Sequence, residues 1–279
     1  MAYKTILVNA EAARRAPYIA ACAARVALAE QAHLVGLAST GINPLMYQCN
    51  AVAPGVVLRQ EELDALTANA RQALAAFTAT VSGLGALSSE ERLTNDALPD
   101  SLIRQSRYSD LVVLGQTDPG EPAPLPGETL PQQVILHCPR PVLVVPHAGD
   151  IARIGERPLL AWDGGMAASR ALLAAAPLLR RATLSTLAIF NPVRVYDAHG
   201  QLAGADMATC LARHGVKLDV VARDTDGDVG EALLTLAADT GADLLVMGCY
   251  GHTRLREMLL GGATRSVLRS MTLPVLMTA

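Results

Sequence analysis

Glycines between residues 248 and 262 have the spacing of a loop that could bind an anion. An apolar segment ends at Gly248, Gly251 follows after two residues, and Gly261 and Gly262 come directly before a helical pattern. Glycine lets the backbone approach a phosphate closely and adopt positive φ. The N–H groups of a helix's first turn, together with the helix dipole, favour a bound anion. The spacing therefore predicts a phosphate loop between a strand and a helix.

Several residues of this loop could contact phosphate oxygens. Backbone N–H groups would come from the start of the helix, a hydroxyl from a threonine in its first turn, and screening charge from the basic side chains. The predicted phosphate contacts are Gly251, His252, Arg254, Gly261, Gly262, Ala263 and Thr264. The alternative is a glycine-rich loop that binds nothing.

The same segment resembles the nucleotide loop of the universal stress protein family, whose ATP-binding members carry Gly-x2-Gly-x9-Gly-Ser/Thr. Gly248, Gly251 and Gly261 fit that spacing, whereas Gly262 stands where the pattern has Ser or Thr. Thr264 matches a second hydroxyl position of the family. The resemblance implies a site for ATP, or for ADP or AMP, with Mg²⁺.

A second segment resembles the first strand of the same family. Residues 160–165 read Leu-Ala-Trp-Asp-Gly-Gly, and the family pattern is Val-x-x-Asp-x-Ser. By this resemblance Asp163 would lie at the carboxyl end of a strand and accept hydrogen bonds from the base or ribose. The alternative for Asp163 is a cap of the following helix.

The resemblance also implies which residues surround the adenine. Met247 and Gly248 would line the adenine and ribose side of the site. On the second strand of the same half, Ile189 or its neighbour Ala188 would touch the base.

Predicted strands and helices alternate along the whole chain, which is typical of βαβ units and a parallel sheet. The predicted strands are 6–8, 33–38, 84–93, 110–115, 141–145, 158–162, 183–190, 218–222, 244–247 and 275–277. The predicted helices are 16–31, 61–81, 97–107, 131–137, 167–181, 202–214 and 229–240, with another before the last strand.

The second half of the chain repeats the pattern of the first. An offset of 133 residues aligns 110–115 with 243–248, and 141–143 with 274–276, without a gap. The repeat does not preserve the phosphate-binding residues. At this offset the glycines and threonine of the later loop, Gly251, Gly261 and Thr264, face Asp118, Glu128 and Pro131. Carboxylates repel phosphate and proline offers no N–H, so we expect no phosphate site in the first half.

The first strand of the first half differs in the same way. Its segment Val-Asn-Ala-Glu ends in Glu11, which corresponds to Asp163. Glu11 keeps an acid at the strand end, but a larger one and without a matching phosphate loop.

The resemblance covers nearly the whole chain, as a degenerate domain at 1–147 and a nucleotide-binding domain at 157–279. It implies an α/β fold: two tandem, doubly wound, five-stranded parallel-sheet domains of the adenine-nucleotide alpha hydrolase-like class. Family domains pair through their last strands, so 141–145 and 274–278 would pair within one chain as an intramolecular pseudo-dimer. A homodimer through the sheet-edge face also fits the resemblance.

Composition excludes several classes of protein. The chain has 279 residues, 51% of them hydrophobic, and a net charge of −3, which does not favour nucleic acid as a partner. Its five cysteines form no CxxC pair, and no metal site is predicted. No signal peptide or membrane-spanning run is evident, so we expect a cytoplasmic protein that does not bind membranes.

Together these features predict a tandem universal stress protein that binds an adenine nucleotide once per chain and acts as a stress-response regulator or sensor, through an unidentified protein partner. One alternative is a slow ATPase or nucleotidyl-transferase, for which the loop offers only His252 and Glu257. No catalytic residue is assigned, and at most weak ATP hydrolysis is expected. Another alternative is a stress scaffold whose loop stays empty, because Gly262 replaces the hydroxyl residue.

Overall fold

The computed structural model describes residues 2–11, 14–42, 59–85, 88–120, 129–192, 203–250 and 262–279. The chain forms two compact units. The first unit comprises Tyr3–Gly115 and Glu128–Arg140, and the second comprises Met1–Ala2, Gln116–Gly127 and Pro141–Ala279. Only their described residues are considered below.

The first unit is a four-stranded parallel sheet with helices between its strands. The strands lie in the order β3-β2-β1-β4. They are β1 (Thr5–Asn9), β2 (His33–Ser39), β3 (Ser89–Thr94) and β4 (Leu111–Gly115). The helices are α1 (Ala16–Glu30), α2 (Gln60–Gly83), α3 (Leu98–Gln105), which runs into a 3-10 turn at Ser106–Tyr108, and α4 (Leu130–His137).

The second unit is a six-stranded sheet in the order β5-β10-β9-β6-β7-β8. Its strands are β5 (Val142–Val145), β6 (Pro158–Ala161), β7 (Ser185–Phe190), β8 (Leu218–Arg223), β9 (Leu244–Gly248) and β10 (Val275–Thr278). Its helices are α5 (Met166–Ala174), α6 (Ala176–Leu179), α7 (Ala205–Arg213), α8 (Val229–Thr240) and α9 (Ala263–Ser270). These alternating strands and helices confirm the predicted α/β fold class.

Strands β5 and β10 pair as the sequence predicts. Their pairing is antiparallel, with Val144 opposite Val275 and Leu143 opposite Leu276, whereas the other pairs of the second unit are parallel. All four of these side chains are fully buried. Strand β5 therefore completes a sheet whose other strands come from the later part of the chain.

The boundaries of two predicted elements differ from the structure. The helix predicted at 167–181 is divided into α5 and α6 at Ala175. Pro177 lies in the first turn of α6 and has no N–H to continue the hydrogen bonding of α5. The strand predicted from residue 84 begins only at Ser89. No helix in the described ranges has both the length and the apolar character to cross a bilayer.

The repeat seen in the sequence has a counterpart in the hydrogen bonds. The carboxylate of Asp110 accepts the N–H groups of Lys4 (2.7 Å) and Thr5 (3.0 Å), just before and at the start of β1. Asp243, at the offset of 133, accepts the three N–H groups of residues 155–157, just before β6. Each aspartate thus fixes the start of the first strand of its half against the start of the fourth.

Candidate functional site

Three of the predicted site segments of the second half, Asp163, Ile189 and Met247–Gly248, lie at or just beyond the carboxyl ends of three neighbouring strands. Strand β6 lies between β9 and β7, with Leu160 opposite Val246 and Ala161 opposite Ala188. The chain leaves β6 toward β7 on one side, and β9 follows on the other side after β8. This reversal is the topological switch point, where open α/β sheets bind ligands.

Asp163 lies two residues beyond β6, at the switch point, and its side chain is exposed. Its Oδ1 accepts the N–H of Gly165 at 2.8 Å, in a turn where Gly164 has φ of 78°. Gly165 is the N-cap residue of α5. Asp163 therefore stabilises the turn that leads into α5, whose N-cap residue has no capping side chain. Its exposed carboxylate can also accept from a ligand.

Gly248, the last residue of β9, is required by close packing. A Cβ atom at this position would clash with the backbone N of Ala168, and would lie 2.5 Å from the carbonyl carbon of Ala167. The first turn of α5 therefore rests on the end of β9 itself. The predicted place of Gly248 beside the adenine and ribose stays a prediction.

Hydrogen bonds hold α5 in this position. The hydroxyl of Thr278, in β10, donates to the carbonyl of Ala167 at 3.0 Å, and Arg170 Nη1 donates to the carbonyl of Ala279 at 3.2 Å. The N–H of Cys249 donates to the carbonyl of Thr278 at 2.8 Å. The start of α5 is thus fixed across the ends of β9 and β10.

The start of α9 has the form expected of an anion site. Its N-cap residue, Gly262, has an extended conformation (φ −59°, ψ 163°). Because it is a glycine, it supplies no capping side chain. Gly262 and Ala263 are half-buried, and Thr264 is only 3% exposed. The first N–H groups of a helix have no partner within the helix, so this turn can donate to a ligand.

The start of α8 lies against the start of α9. A Cβ atom on Gly230 would lie 2.5 Å from the carbonyl oxygen of Ala263 and 2.9 Å from Asp228 Oδ1. Asp228 caps α8 by accepting the N–H of Glu231 at 2.9 Å. Gly230 therefore helps to position the first turn of α9. Sequence reasoning missed it because nothing in the pattern of α8 distinguishes this glycine.

The predicted adenine-side residues have buried side chains. Ile189 is fully buried, and its Cδ1 lies 2.7 Å from where a Cβ on Gly204 would be. Gly204 has φ of 79° and is the N-cap residue of α7. Ala188 and Met247 are 2% and 4% exposed. A contact of these side chains with adenine stays a prediction.

Four predicted phosphate contacts lie outside the described residues. They are Gly251, His252, Arg254 and Gly261. The described chain resumes at Gly262 and ends before the loop at Tyr250, which has a left-handed φ of 56°.

In the first unit, the acid that corresponds to Asp163 is bound by the protein itself. The Glu11 carboxylate accepts the N–H of Ser39, at the end of β2. Burial raises the pKa of the Glu11 carboxyl above the ordinary glutamate value of 4.5, and the hydrogen bond from Ser39 only partly opposes this increase. Asp163 is exposed, whereas Glu11 is half-buried and hydrogen-bonded to a neighbouring strand.

The helix start that corresponds to α9 also differs. Helix α4 has Pro131 in its first turn, and Thr129 donates its N–H to Gln132 Oε1 at 2.8 Å. Asp118, which replaces a loop glycine, accepts the N–H of Gly120 at 2.8 Å. This helix start therefore offers fewer N–H groups and lies in a chain segment that carries a carboxylate.

Comparisons with known proteins show similarity to universal stress proteins. Residues 157–279 match the model described as "Universal stress protein family". A universal stress protein of Synechocystis sp. is 31% identical over 147 residues, which make up 52% of this chain and 49% of that protein. A universal stress protein of Methanocaldococcus jannaschii is 41% identical over 46 residues, or 16% of this chain and 28% of that protein. The chain thus spans at most about half the length of these relatives.

Several solved structures resemble the whole chain. A universal stress protein from Archaeoglobus fulgidus aligns over 99% of this chain and 96% of its own, with a TM-score of 0.69 and 15% sequence identity. At that identity the likeness establishes a shared fold.

Proposed function

Because residues 157–279 belong to the universal stress protein family, we propose that this part of the chain binds an adenine nucleotide, either ATP or its products ADP and AMP. The observation that supports the proposal is the start of α9, where the N-cap residue is Gly262 and where Gly262 and Ala263 are half-buried. A triphosphate needs several converging N–H donors, and a helix start supplies them without adding a charged side chain.

Each part of the nucleotide has proposed contacts. Gly262, Ala263 and Thr264 would bind the phosphates, and Asp163 would accept from the ribose or base. Met247, Gly248 and Ile189 would border the adenine. From the sequence alone, we add Gly251, His252, Arg254 and Gly261 to the phosphate contacts. The proposed binding domain is 157–279, and residues 1–147 form a partner domain without a nucleotide.

Mg²⁺ would accompany the triphosphate. Within the described ranges, no three His, Cys, Asp or Glu side chains are grouped as a metal site. Mg²⁺ usually keeps several waters and binds substrate phosphates with few protein ligands. We therefore propose that the ion is held mainly by phosphate oxygens and water. Nucleotide occupancy would regulate a stress response by changing the surface that an unidentified protein partner recognises.

The proposal is tested by a carboxylate at the start of α9. Gly262→Glu places a negative charge at the proposed phosphate position, and we expect ATP affinity to fall by at least about fivefold, because two unit charges repel by about 1 kcal/mol at 4 Å even in water. Calorimetric titration measures the affinity. Trp162, the one tryptophan of the chain, lies beside Asp163 and gives an independent fluorescence signal.

The chain offers a matched control at the same place in the first half. Thr129 corresponds to Gly262 at the offset of 133, so Thr129→Glu adds the same charge at the start of α4. We expect this variant to bind ATP as the unmodified protein does. Equal affinity in the Gly262→Glu variant, or equal losses in both variants, would contradict the proposed site. Absence of any ATP binding would favour the scaffold alternative.

A further inference from the structure

Strand β8 forms one edge of the second unit's sheet. It pairs in parallel with β7, and no other described strand lies along its opposite side. All six of its residues are half-buried or exposed, and Val220 is 43% exposed. A bare edge of this length is a template for pairing with another strand.

The hydrogen bonds to β7 show which groups of β8 point outward. The N–H of Ser185 donates to the carbonyl of Lys217 at 2.8 Å, and the N–H of Asn191 donates to the carbonyl of Arg223 at 2.9 Å. Backbone groups alternate in direction along a strand, so the odd-numbered residues of β8 face β7. The outward N–H and C=O groups belong to Leu218, Val220 and Ala222.

The charges on β8 are complementary to a reversed copy of the same strand. We propose that β8 pairs antiparallel with β8 of a second copy of this chain, with Val221 opposite its own counterpart. Val220 then lies opposite the partner's Ala222, so that outward backbone groups meet. Asp219 lies opposite the partner's Arg223, and by symmetry this attraction occurs twice. Opposite charges placed across strands stabilise a pair.

Neighbouring registers lack this match. Moving the partner by two residues in one direction places Lys217 opposite the partner's Arg223, which brings like charges together. Moving it by two residues in the other direction places Asp219 opposite the partner's Thr225, which has no charge. A shift of one residue would turn the bonded backbone groups away from each other. The charges therefore select one register.

The edge strand of the first unit is built differently. The carbonyls of Ser88, just before β3, and of Thr94, its last residue, accept hydrogen bonds from the side of β2. The donors are the N–H groups of Leu34 and Thr40, both at 2.9 Å. Glu91 is therefore among the residues of β3 whose backbone groups point outward. The self-pairing that would match Glu90 with the partner's Arg92 also places Glu91 opposite itself. Like charges at an edge oppose association. The proposal is therefore specific to β8.

The side chain of Arg223 can exchange its present ion pair for one with Asp219 of the second copy. Its Nη1 lies 4.0 Å from Asp239 Oδ2, and both side chains are more than half exposed. Such a surface ion pair contributes little. A single short strand pair buries less surface than a stable interface usually does, so we expect a weak dimer that depends on concentration.

Charge reversal on the full-length chain tests the proposal. In sedimentation velocity, we expect the unmodified protein to form a dimer as concentration rises. Asp219→Arg and Arg223→Asp each place like charges opposite each other twice, and should weaken dimerisation by at least about tenfold. The double variant exchanges both charges and should restore it. High salt should weaken the unmodified dimer.

A backbone variant separates strand pairing from other contacts. Val220→Pro removes an outward N–H that β7 does not use, and should abolish the dimer while circular dichroism shows the fold retained. A protein that is monomeric at every concentration would overturn the proposal. So would a dimer that tolerates both single reversals, or one that the double variant fails to restore. ATP binding is independent of these results, because the proposed nucleotide contacts lie outside β8.

Discussion

Gly248 illustrates how the meaning of a single residue depends on what the fold places beside it. In the sequence, it is the first glycine of a phosphate loop. In the structure, the backbone of Ala167 and Ala168 occupies the space that its side chain would need. Gly230 has the same role against Ala263. Both glycines hold the helices that surround the candidate site close to the sheet and to each other.

We predict that Gly248→Ala destabilises the protein. The new Cβ would meet backbone atoms, which cannot rotate away, so α5 must shift from β9. Overpacking of this kind costs about 1–3 kcal/mol, and we expect a loss of about 2 kcal/mol or more in urea unfolding. Gly83→Ala is the control, because Gly83 ends α2 and has no atom within 4 Å of the Cβ position. It should be neutral or slightly stabilising. Similar losses in both variants would contradict the packing argument.

A pH-dependent prediction follows from Glu11. Burial raises the pKa of its carboxyl in the folded state above the ordinary glutamate value of 4.5, so folding favours the protonated form. Its contribution to stability is therefore fully present below pH 4.5 and is lost as pH rises through the higher folded-state pKa. Glu11→Gln keeps an oxygen for the N–H of Ser39 and cannot ionise. The stability of the variant relative to the unmodified protein should increase between pH 4 and pH 7, as measured by urea unfolding. A constant difference would contradict the assignment.

Ser185 and Ser101 form a second contrast at single positions. Both are fully buried. Ser101 Oγ lies 2.9 Å from Thr94 Oγ1, whereas Ser185 Oγ has no hydrogen-bond partner within the described chain. Removing a hydroxyl with a partner leaves that partner unsatisfied, but removing one without a partner relieves a desolvation cost. Ser101→Ala should cost about 1 kcal/mol, and Ser185→Ala should be neutral or stabilising. Equal losses by thermal and urea unfolding would refute this.

At the scale of elements, periodicity and punctuation predicted most helices and strands, because these signals are local. Val229–Thr240 was predicted to the residue: Asp228 caps its start, and Gly241 adopts the left-handed conformation after its end. Contacts between helices and strands leave no comparable local pattern in the sequence. The joining of the starts of α8 and α9 through Gly230 depends on residues more than 30 positions apart. The four loop residues proposed to bind phosphate, Gly251, His252, Arg254 and Gly261, lie outside the described chain and stay predictions.

The side chain of Gln116 connects the end of α9 to the segment after β5 by hydrogen bonds. Its Nε2 donates to the carbonyls of Leu268 (2.8 Å) and Arg269 (3.2 Å) at the end of α9, and its Oε1 accepts the N–H of His147 at 2.9 Å. Because Gln116 is only 8% exposed, its loss leaves buried groups unsatisfied. Gln116→Ala should cost about 2–3 kcal/mol in urea unfolding. Gln72→Ala, at an exposed position of α2, is the control and should change stability by less than about 0.5 kcal/mol.

At the scale of the whole molecule, the compact units do not follow the order of the chain. Strand β5 precedes residue 157, yet it pairs with β10 and belongs to the second unit. The family resemblance predicts that these two strands pair, and the structure shows that their pairing is antiparallel. Sequence periodicity alone identifies β5 as a strand and is silent about its partner.

A fragment experiment tests the importance of this pairing. The fragment 157–279 lacks β5 and therefore exposes the edge of β10, whose residues Val275, Leu276 and Met277 are otherwise fully buried. We expect it to self-associate. The full-length chain, in which β5 pairs with β10, is the control and should associate much less at the same concentration, as measured by light scattering after gel filtration. Equal association of the fragment and the full-length chain would show that β5 does not protect this edge.

The antiparallel partner of Val144 is Val275, more than 130 residues later in the chain. During synthesis, β5 leaves the ribosome long before β10 exists. At about 5–20 residues per second, the wait is on the order of ten seconds. A nascent chain therefore carries a wholly apolar strand, Val-Leu-Val-Val, through most of the translation of its second half. Chaperones that bind short hydrophobic segments would find their target there.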